Sequence, residues 1–257
     1  MSNVLYEVND RICFLTLNRP EKKNALNAEM VSDLKDLFTK AEADANVKVI
    51  VLKANGDVFC SGADLESLQQ LQKNSYEENL NDSKHLKELF FQIYTLKKVV
   101  IAQVQGHAIA GGCGLATVCD FVFAIPKAKM GCTEVRIGFI PAIVMVFLLR
   151  KVGEQKAKQL LLSGELISGE DSLKFGLVNH LVSEGQLSEE VILFCTRLIQ
   201  NNSIQSMELT KQMIAQSQSM TLGDGLDYAA EMNAKARGTE DCKRGIAAFL
   251  NKEKLTW

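Results

Sequence analysis

The chain has 257 residues, of which 47% are hydrophobic and 23% are charged, and its formal net charge is −2. This balance is that of a globular domain large enough to bury a full core. The net charge gives no support for a nucleic-acid partner, which usually brings a basic excess. No apolar stretch reaches the ~20 residues that a membrane span needs, so we expect no membrane partner. The first residues follow a strand pattern and not that of a secretory signal, so we expect a cytoplasmic protein.

The seven cysteines lie in apolar stretches, form no C-x-x-C pair and are odd in number. This distribution predicts buried free thiols in a reducing compartment. Zinc would need closely spaced cysteine and histidine ligands, and the chain has only three histidines. We therefore expect no metal site.

The first half of the chain alternates short apolar runs with stretches of helical periodicity. The predicted strands are 11–18, 47–53, 99–104 and 121–125, and the predicted helices are 27–43, with Asn27 as N-cap, and 83–96. The polar stretch 68–82 is either a mobile lid or a solvated helix. Strands that alternate with helices predict an α/β architecture with parallel pairing.

From about Pro141 the strand pattern nearly vanishes. Helices are predicted over 187–200, 203–217, 222–237 and 240–252. There are three prolines and no low-complexity linker. We therefore expect one continuous domain, with a core over 1–195 and a helical region over 196–257.

Two glycine-marked turns follow predicted strands. In the first, Ser61, Gly62 and Ala63 are small enough for the backbone to approach a ligand closely. The second runs over 106–115 and opens a short helix that ends at about Val118. Glycines at a helix start leave backbone N–H groups free, which suits a developing oxyanion. The alternatives are a tight turn for the first segment and close helix–strand packing for the second.

Glu134 stands among mostly apolar residues. Desolvation raises the pKa of such a carboxyl group, which suits a general acid/base at neutral pH. The alternative is a salt bridge to Arg136 or Arg150. His107 and Asp120 lie near the second turn, and we expect structural hydrogen-bonding roles for both.

Together, these segments resemble the crotonase superfamily, the enoyl-CoA hydratase/isomerase family. The resemblance covers nearly the whole chain, and its segments are 17–27 (LNRPEKKNALN), 61–65 (SGADL), 106–115, 119–120 (CD), 130–141, 162–165 (LSGE), 176–178 (GLV) and 245–250. It implies a crotonase (ClpP-like) spiral of ββα units, with C-terminal helices that build a homotrimer or a dimer of trimers. It also implies an acyl-CoA thioester as the bound partner. Coenzyme A is then part of the substrate, and no separate cofactor is expected.

The resemblance implies roles for particular residues. The backbone N–H groups of Ala63 and Gly111 would form the oxyanion hole, and Glu134 would carry protons. The remaining implied substrate-binding residues are Lys22, Lys23, Ala25, Ser61, Asp64, Leu65 and Gly114. Of these, the first six lie in the two segments that cradle the nucleotide part of coenzyme A in the family.

Gly114 is a departure from the family pattern. Typical hydratases carry a glutamate there, which works with the glutamate at the position of Glu134. Its loss implies space for a branched or carboxylated acyl group. The sequences of segments 111–115 and 133–142 are similar to those of the methylglutaconyl-CoA hydratase branch of leucine breakdown. The apolar segment 142–148 implies an apolar wall. The first functional hypothesis is therefore an enoyl-CoA hydratase, with methylglutaconyl-CoA as the candidate substrate. The alternatives are a Δ3,Δ2-enoyl-CoA isomerase that uses Glu134 alone, and a non-catalytic acyl-CoA-binding or interaction protein.

Overall fold

The computed structural model describes residues 2–257. Its nine strands are β1 (Val4–Asn9), β2 (Ile12–Leu17), β3 (Val49–Ala54), β4 (Val58–Cys60), β5 (Val99–Val104), β6 (His107–Ile109), β7 (Phe121–Ala124), β8 (Met130–Gly131) and β9 (His180–Leu181). The larger sheet has the order β1-β2-β3-β5-β7-β9, in which only the β1–β2 pair is antiparallel. β2 and β5 are buried throughout, as expected for strands covered on both faces. The predicted strands are confirmed within two residues at each end.

A second, smaller sheet has the order β4-β6-β8, and all its pairs are parallel. Each of its strands directly follows a strand of the larger sheet, and a helical segment comes after each. This repeat of two strands and a helix is the ββα spiral that the resemblance implies. These strands have only two or three residues, too few for a periodic pattern to show in the sequence.

The ten α-helices are α1 (Ala28–Ala43), α2 (Leu65–Leu71), α3 (Tyr76–Thr95), α4 (Gly111–Thr117), α5 (Ala142–Ser163), α6 (Gly169–Phe175), α7 (Leu187–Asn201), α8 (Ile204–Ser217), α9 (Leu222–Arg237) and α10 (Glu240–Asn251). Asn27 caps α1 as predicted, since its side chain accepts a hydrogen bond of 2.9 Å from the N–H of Met30. α3 begins at Tyr76 and not at residue 83, because Ser75 and Glu78 form a capping box. The polar stretch 68–82 is therefore a solvated helical segment with one turn.

α5 and α6 lie where no helix was predicted. The first half of α5 reads AIVMVFLL, so a continuous apolar run hides its period. Gly153 interrupts α5 with φ 75° and ψ 169°, a conformation that divides the helix into two parts.

The four C-terminal helices agree with their predicted bounds to within one residue. Lys211 of α8 ties this region to the core, because its Nζ lies 2.7 Å from Asp120 Oδ2 and 2.9 Å from the carbonyl oxygen of Lys98. Asp120 also accepts a hydrogen bond from the N–H of Val100, which is the structural role expected for it. The predicted division after residue 195 falls within α7 and stays a prediction.

All seven cysteines are free thiols, and all except the partly exposed Cys242 are buried. Within residues 2–257, no group of three or more His, Cys, Asp or Glu side chains could hold a metal ion. None of the helices described is both long and apolar enough to cross a membrane.

Candidate active site

The two glycine-marked turns meet in the structure. Leu26 and Ala63 form an isolated parallel bridge, in which the N–H of Leu26 donates to the carbonyl of Gly62 over 2.7 Å. A Cβ atom at Gly62, which has φ 93°, would lie 2.9 Å from Ala110 Cβ and 3.5 Å from the backbone nitrogen of Gly111. The first turn therefore packs so closely against the start of α4 that a side chain at residue 62 would clash with Ala110.

The backbone N–H groups of Ala63 and Gly111 donate no hydrogen bond within the described residues. Ala110, just before Gly111, has φ 54° and ψ −126°, a conformation that costs a non-glycine residue about 1–3 kcal/mol. A 2.8 Å hydrogen bond from its N–H to the carbonyl of Gly131 holds it there. The two donors predicted for the oxyanion hole are thus free and sit on tightly constrained backbone.

Ala63 and Gly111 both line a cavity of about 490 Å³. Its walls come from the start of α1, from α2 and α3, from the 110–111 turn and from the 133–144 segment, and they are largely apolar. Its lining residues include Ala63, Asp82, His85, Gly111, Glu134, Ile143 and Val144. The apolar wall predicted over 142–148 is confirmed for Ala142, Ile143 and Val144.

Glu134 begins a short 3-10 helix, Glu134–Ile137, directly after β8 and Cys132-Thr133. Its Oε2 atom is buried and has no hydrogen-bond partner among the described residues. Burial raises the pKa of the carboxyl group above its ordinary value. The alternative of a salt bridge to Arg136 or Arg150 is not realised, since no ion pair of residues 2–257 includes Glu134 and Arg150 donates to the carbonyl of Val146. A buried carboxyl oxygen without a partner is costly, and chemistry on a bound ligand is one reason to keep it.

Gly114 is buried in α4, and the space expected beside it is already filled. A Cβ atom at residue 114 would lie 2.4 Å from Val144 Cγ2 and 2.8 Å from Phe90 Cε2. The missing glutamate is therefore replaced by apolar side chains from α5 and α3. Extra room for a branched acyl group does not arise at this position.

The nucleotide-binding segment implied by the resemblance is organised by Arg19. Its guanidinium donates to the carbonyl of Ala25 over 2.9 Å and to Asp64 Oδ2 over 3.1 Å. Burial by itself would raise the pKa of Asp64, but hydrogen bonds from the N–H of Glu66 and from Arg19 outweigh it and lower the pKa. The Asp64 carboxylate is thus engaged within the protein. Arg19 itself was not predicted, although its segment belonged to the resemblance.

The two lysines of that segment lie in different settings. Lys22 is exposed, and its Nζ pairs with Glu66 Oε1 over 2.8 Å. Lys23 has φ 52°, and its carbonyl accepts a hydrogen bond of 3.1 Å from the N–H of Ser61. Leu65 is 76% exposed at the start of α2. The structure brings these residues to one side of the molecule, and their contact with a substrate stays a prediction.

His107 does not line the cavity. Its Nδ1 accepts a hydrogen bond of 3.1 Å from the N–H of Lys129, which agrees with the structural role expected for it.

Comparison with known proteins places this geometry in a family. The model of the family "Enoyl-CoA hydratase/isomerase" matches residues 7–257. A Thermus thermophilus protein named "Putative enoyl-CoA hydratase" is 40% identical over 241 residues, which are 94% of this chain and 95% of that protein. A crotonyl-CoA hydratase from Syntrophomonas wolfei is 32% identical over 257 residues, with 99% and 97% coverage. The crystal structure of an enoyl-CoA hydratase from Mycobacterium smegmatis superposes with a TM-score of 0.93 at 28% identity, covering 99% of this chain and 98% of that one. The chain belongs to the enoyl-CoA hydratase/isomerase family and has the crotonase fold.

Proposed function

We propose that this chain hydrates an enoyl-CoA thioester, with Glu134 as the proton carrier and the N–H groups of Ala63 and Gly111 as the oxyanion hole. One observation carries the proposal. A buried carboxyl oxygen without a partner shares a cavity with two free backbone donors. The names of the relatives support hydration over isomerisation.

The proposed reaction needs one carboxylate. Glu134 takes a proton from water as the water oxygen bonds to the β-carbon of the conjugated thioester. The electron pair of the double bond moves onto the thioester oxygen, which the two N–H groups stabilise as an enolate. Glu134 then returns the proton to the α-carbon. A raised pKa favours both steps, because a carboxyl group titrating closer to neutral pH can act as base and then as acid.

The acyl group that fits the lining best is uncharged. Of the residues around the cavity, only Asp82, His85 and Glu134 are ionisable. The ring of His85 is engaged within the protein, since its Nδ1 lies 3.3 Å from Lys35 Nζ and its Nε2 lies 3.2 Å from the carbonyl oxygen of Ala28. A carboxylated acyl group such as methylglutaconyl would find no lysine or arginine on this lining, so crotonyl-CoA is the first substrate that we propose.

The second candidate is the Δ3,Δ2-enoyl-CoA isomerase. Its support is the closed space at Gly114, which leaves one carboxylate to move a proton between two carbons. In that reaction Glu134 takes the proton from the α-carbon of a 3-enoyl thioester and returns it to the γ-carbon as the double bond shifts. Coenzyme A is carried as part of the substrate in either case, and we propose no further cofactor.

A comparison of three substrates tests the proposal. Purified protein is incubated with crotonyl-CoA, 3-methylglutaconyl-CoA and a 3-enoyl-CoA, and the absorbance of the conjugated thioester is followed. We expect the absorbance of crotonyl-CoA to fall, and we expect Glu134→Gln to slow this by roughly 10²–10⁴-fold. Asp82→Asn is the matched control, because Asp82 is an exposed carboxylate on the same cavity, and it should keep activity.

Other outcomes would overturn parts of the proposal. A fast reaction of 3-methylglutaconyl-CoA would show that the uncharged acyl group is the wrong choice. A rise in absorbance with only the 3-enoyl-CoA would establish the isomerase. Full activity of Glu134→Gln would remove Glu134 from its role. Activity on none of the substrates would favour the alternative of a protein that only binds acyl-CoA.

We also propose that the chain assembles as a homotrimer or a dimer of trimers. The support is a set of large apolar side chains left exposed on the C-terminal helices: Leu222 (82%), Leu226 (63%), Phe249 (82%) and Leu250 (72%). Clusters of exposed apolar side chains mark protein interfaces, whereas single ones do not. Light scattering on the purified protein checks this, and a monomer at micromolar concentration would contradict it.

A further inference from the structure

The helix that carries Gly111 is intrinsically weak. α4 has seven residues, GGCGLAT, and three of them are glycines. Each glycine disfavours a helix by about 1 kcal/mol relative to alanine. The orientation of the Gly111 N–H, which the proposed oxyanion hole requires, must therefore be imposed by the surroundings of α4.

The first part of α5 supplies much of that support from one face. Val144 packs against Gly114, Leu148 is fully buried one turn later, and Lys151 follows after another turn. The spacing of four and then three residues places all three on the same side of α5. The face therefore ends on a lysine in place of a third apolar side chain.

Lys151 holds the carboxyl end of α4. Its Nζ donates to the carbonyl oxygen of Thr117 over 2.7 Å and to that of Cys119 over 3.0 Å. The last carbonyls of a helix have no partner within the helix, and they attract positive charge. α4 is thus attached at both ends, through Ala110 to Gly131 at its start and through Lys151 at its end.

This arrangement has an energetic cost. Burial lowers the pKa of Lys151, although the nearby Cys119 and Asp120 act in the opposite direction. The ammonium group forms no ion pair with a carboxylate of residues 2–257, since Asp120 pairs with Lys211. A methionine of similar length would continue the apolar face without that desolvation cost.

We propose that Lys151 is a positioning residue for the reaction: it fixes the carboxyl end of α4 and thereby aims the Gly111 N–H at the thioester oxygen. The inference rests on the proposed oxyanion hole. Lys151 lines a different cavity from Glu134, so it acts through α4 and touches no substrate.

The chain contains a matched control in Lys156. This residue lies on the same helix, after the interruption at Gly153. Its Nζ donates to the carbonyl oxygens of Lys174 and Phe175 over 3.3 Å and 3.0 Å, at the end of the seven-residue helix α6. α6 contributes no residue to the active-site cavity. Lys156→Met therefore removes a lysine cap from a short helix without touching the oxyanion hole.

The experiment compares Lys151→Met, Lys151→Arg and Lys156→Met in the full chain. The first readout is the absorbance maximum of bound cinnamoyl-CoA, because hydrogen bonds to the thioester oxygen polarise the conjugated carbonyl and shift the band to longer wavelength. The second is kcat and KM on crotonyl-CoA. We expect Lys151→Met to lose most of the spectral shift and to lower kcat roughly 10- to 100-fold with KM within about twofold. Lys151→Arg should restore most of both, and Lys156→Met should keep both. If Lys151→Met gives no soluble protein, Lys151→Gln, which keeps one amide donor, decides the same comparison.

The inference would be overturned if Lys151→Met kept the spectral shift of the wild type. It would also be overturned if Lys156→Met lost as much of the shift and of kcat as Lys151→Met. Its failure is distinguishable from failure of the proposed function. A wild-type protein that shifts the band without hydrating crotonyl-CoA contradicts only the proposed hydration, and the shift still decides the role of Lys151. A wild-type protein that produces no shift contradicts the oxyanion hole and, with it, the role of Lys151.

Discussion

Gly114 of α4 lies against Val144 of α5 so closely that a Cβ atom at residue 114 would stand 2.4 Å from Val144 Cγ2. The position where typical hydratases carry a second glutamate is thus closed by packing. Gly114 and Val144 are 30 residues apart in the sequence, and their contact depends on how α4 and α5 cross. Gly114 removes the second glutamate from the sequence, and this helix packing fills its place with apolar side chains.

We expect Gly114→Ala to lower the free energy of unfolding by about 1–3 kcal/mol, because the methyl group overpacks the contact with Val144. Gly223→Ala is the control, since Gly223 lies in α9 with no atom near its Cβ position and should gain up to about 1 kcal/mol. Urea unfolding measures both. In the double variant Gly114→Ala, Val144→Ala, the two costs should not add, because removal of Val144 Cγ2 relieves the clash. Full additivity would contradict the contact.

The raised pKa of Glu134 predicts a pH-dependent stability difference. A carboxyl group with a higher pKa in the folded state favours folding below its unfolded pKa, near 4.5, and this contribution is lost as the pH rises through the folded pKa. We therefore expect Glu134→Gln to be more stable than the wild type at pH 8 and to lose this advantage toward pH 4.5. Urea midpoints across this range provide the measurement. The exposed Glu165→Gln is the control, and the idea fails if it shows the same pH-dependent difference.

The ion pair of Lys22 with Glu66 predicts competition for the nucleotide end of coenzyme A. If Lys22 contacts a phosphate, Lys22→Met should raise KM for crotonyl-CoA up to about fivefold, and Glu66→Gln should lower it, with kcat unchanged. Steady-state kinetics at low ionic strength check this. The thioester of pantetheine, which lacks the nucleotide, should respond to neither change. Lys127→Met, which removes a comparable exposed lysine paired with Glu184, is the control. Equal effects on both thioesters would contradict the phosphate contact.

The strained backbone of Ala110 predicts that a glycine at this position keeps or raises stability while it lowers activity. Glycine tolerates φ 54° without strain, so Ala110→Gly should keep or raise the free energy of unfolding, by up to about 1 kcal/mol. Its looser backbone should lower kcat, because Ala110 sets the direction of the Gly111 N–H. Ala108→Gly, at a buried position within β6, should instead destabilise the protein by about 1 kcal/mol. Unfolding and kinetic measurements on the two variants decide this. A less stable and fully active Ala110→Gly would refute the assignment.

The alternation of strands and helices and the C-terminal helices could be predicted from the sequence, because they depend on local signals such as hydrophobic period and caps like that of Asn27. The glycines of the two turns indicated close backbone approach. The roles of Ala63, Gly111 and Glu134 in one site came from the resemblance of the segments to the family. The sequence did not predict the two-residue and three-residue strands, because they are too short to show a period. It did not predict the apolar helix α5, because a continuous apolar run lacks a clear period.

The surroundings of Ala63, Gly111 and Glu134 depend on contacts between distant parts of the chain. Val144 and Phe90 close the space at Gly114, Arg19 engages Asp64 across 45 residues, and Lys151 reaches the end of α4 across 34 residues. Each contact depends on side-chain volume and on the relative placement of distant elements. A linear pattern records the period of a helix but not the neighbour against which its face packs. The absence of the second glutamate is therefore visible in the sequence at Gly114, whereas the apolar side chains that fill its place are decided by packing.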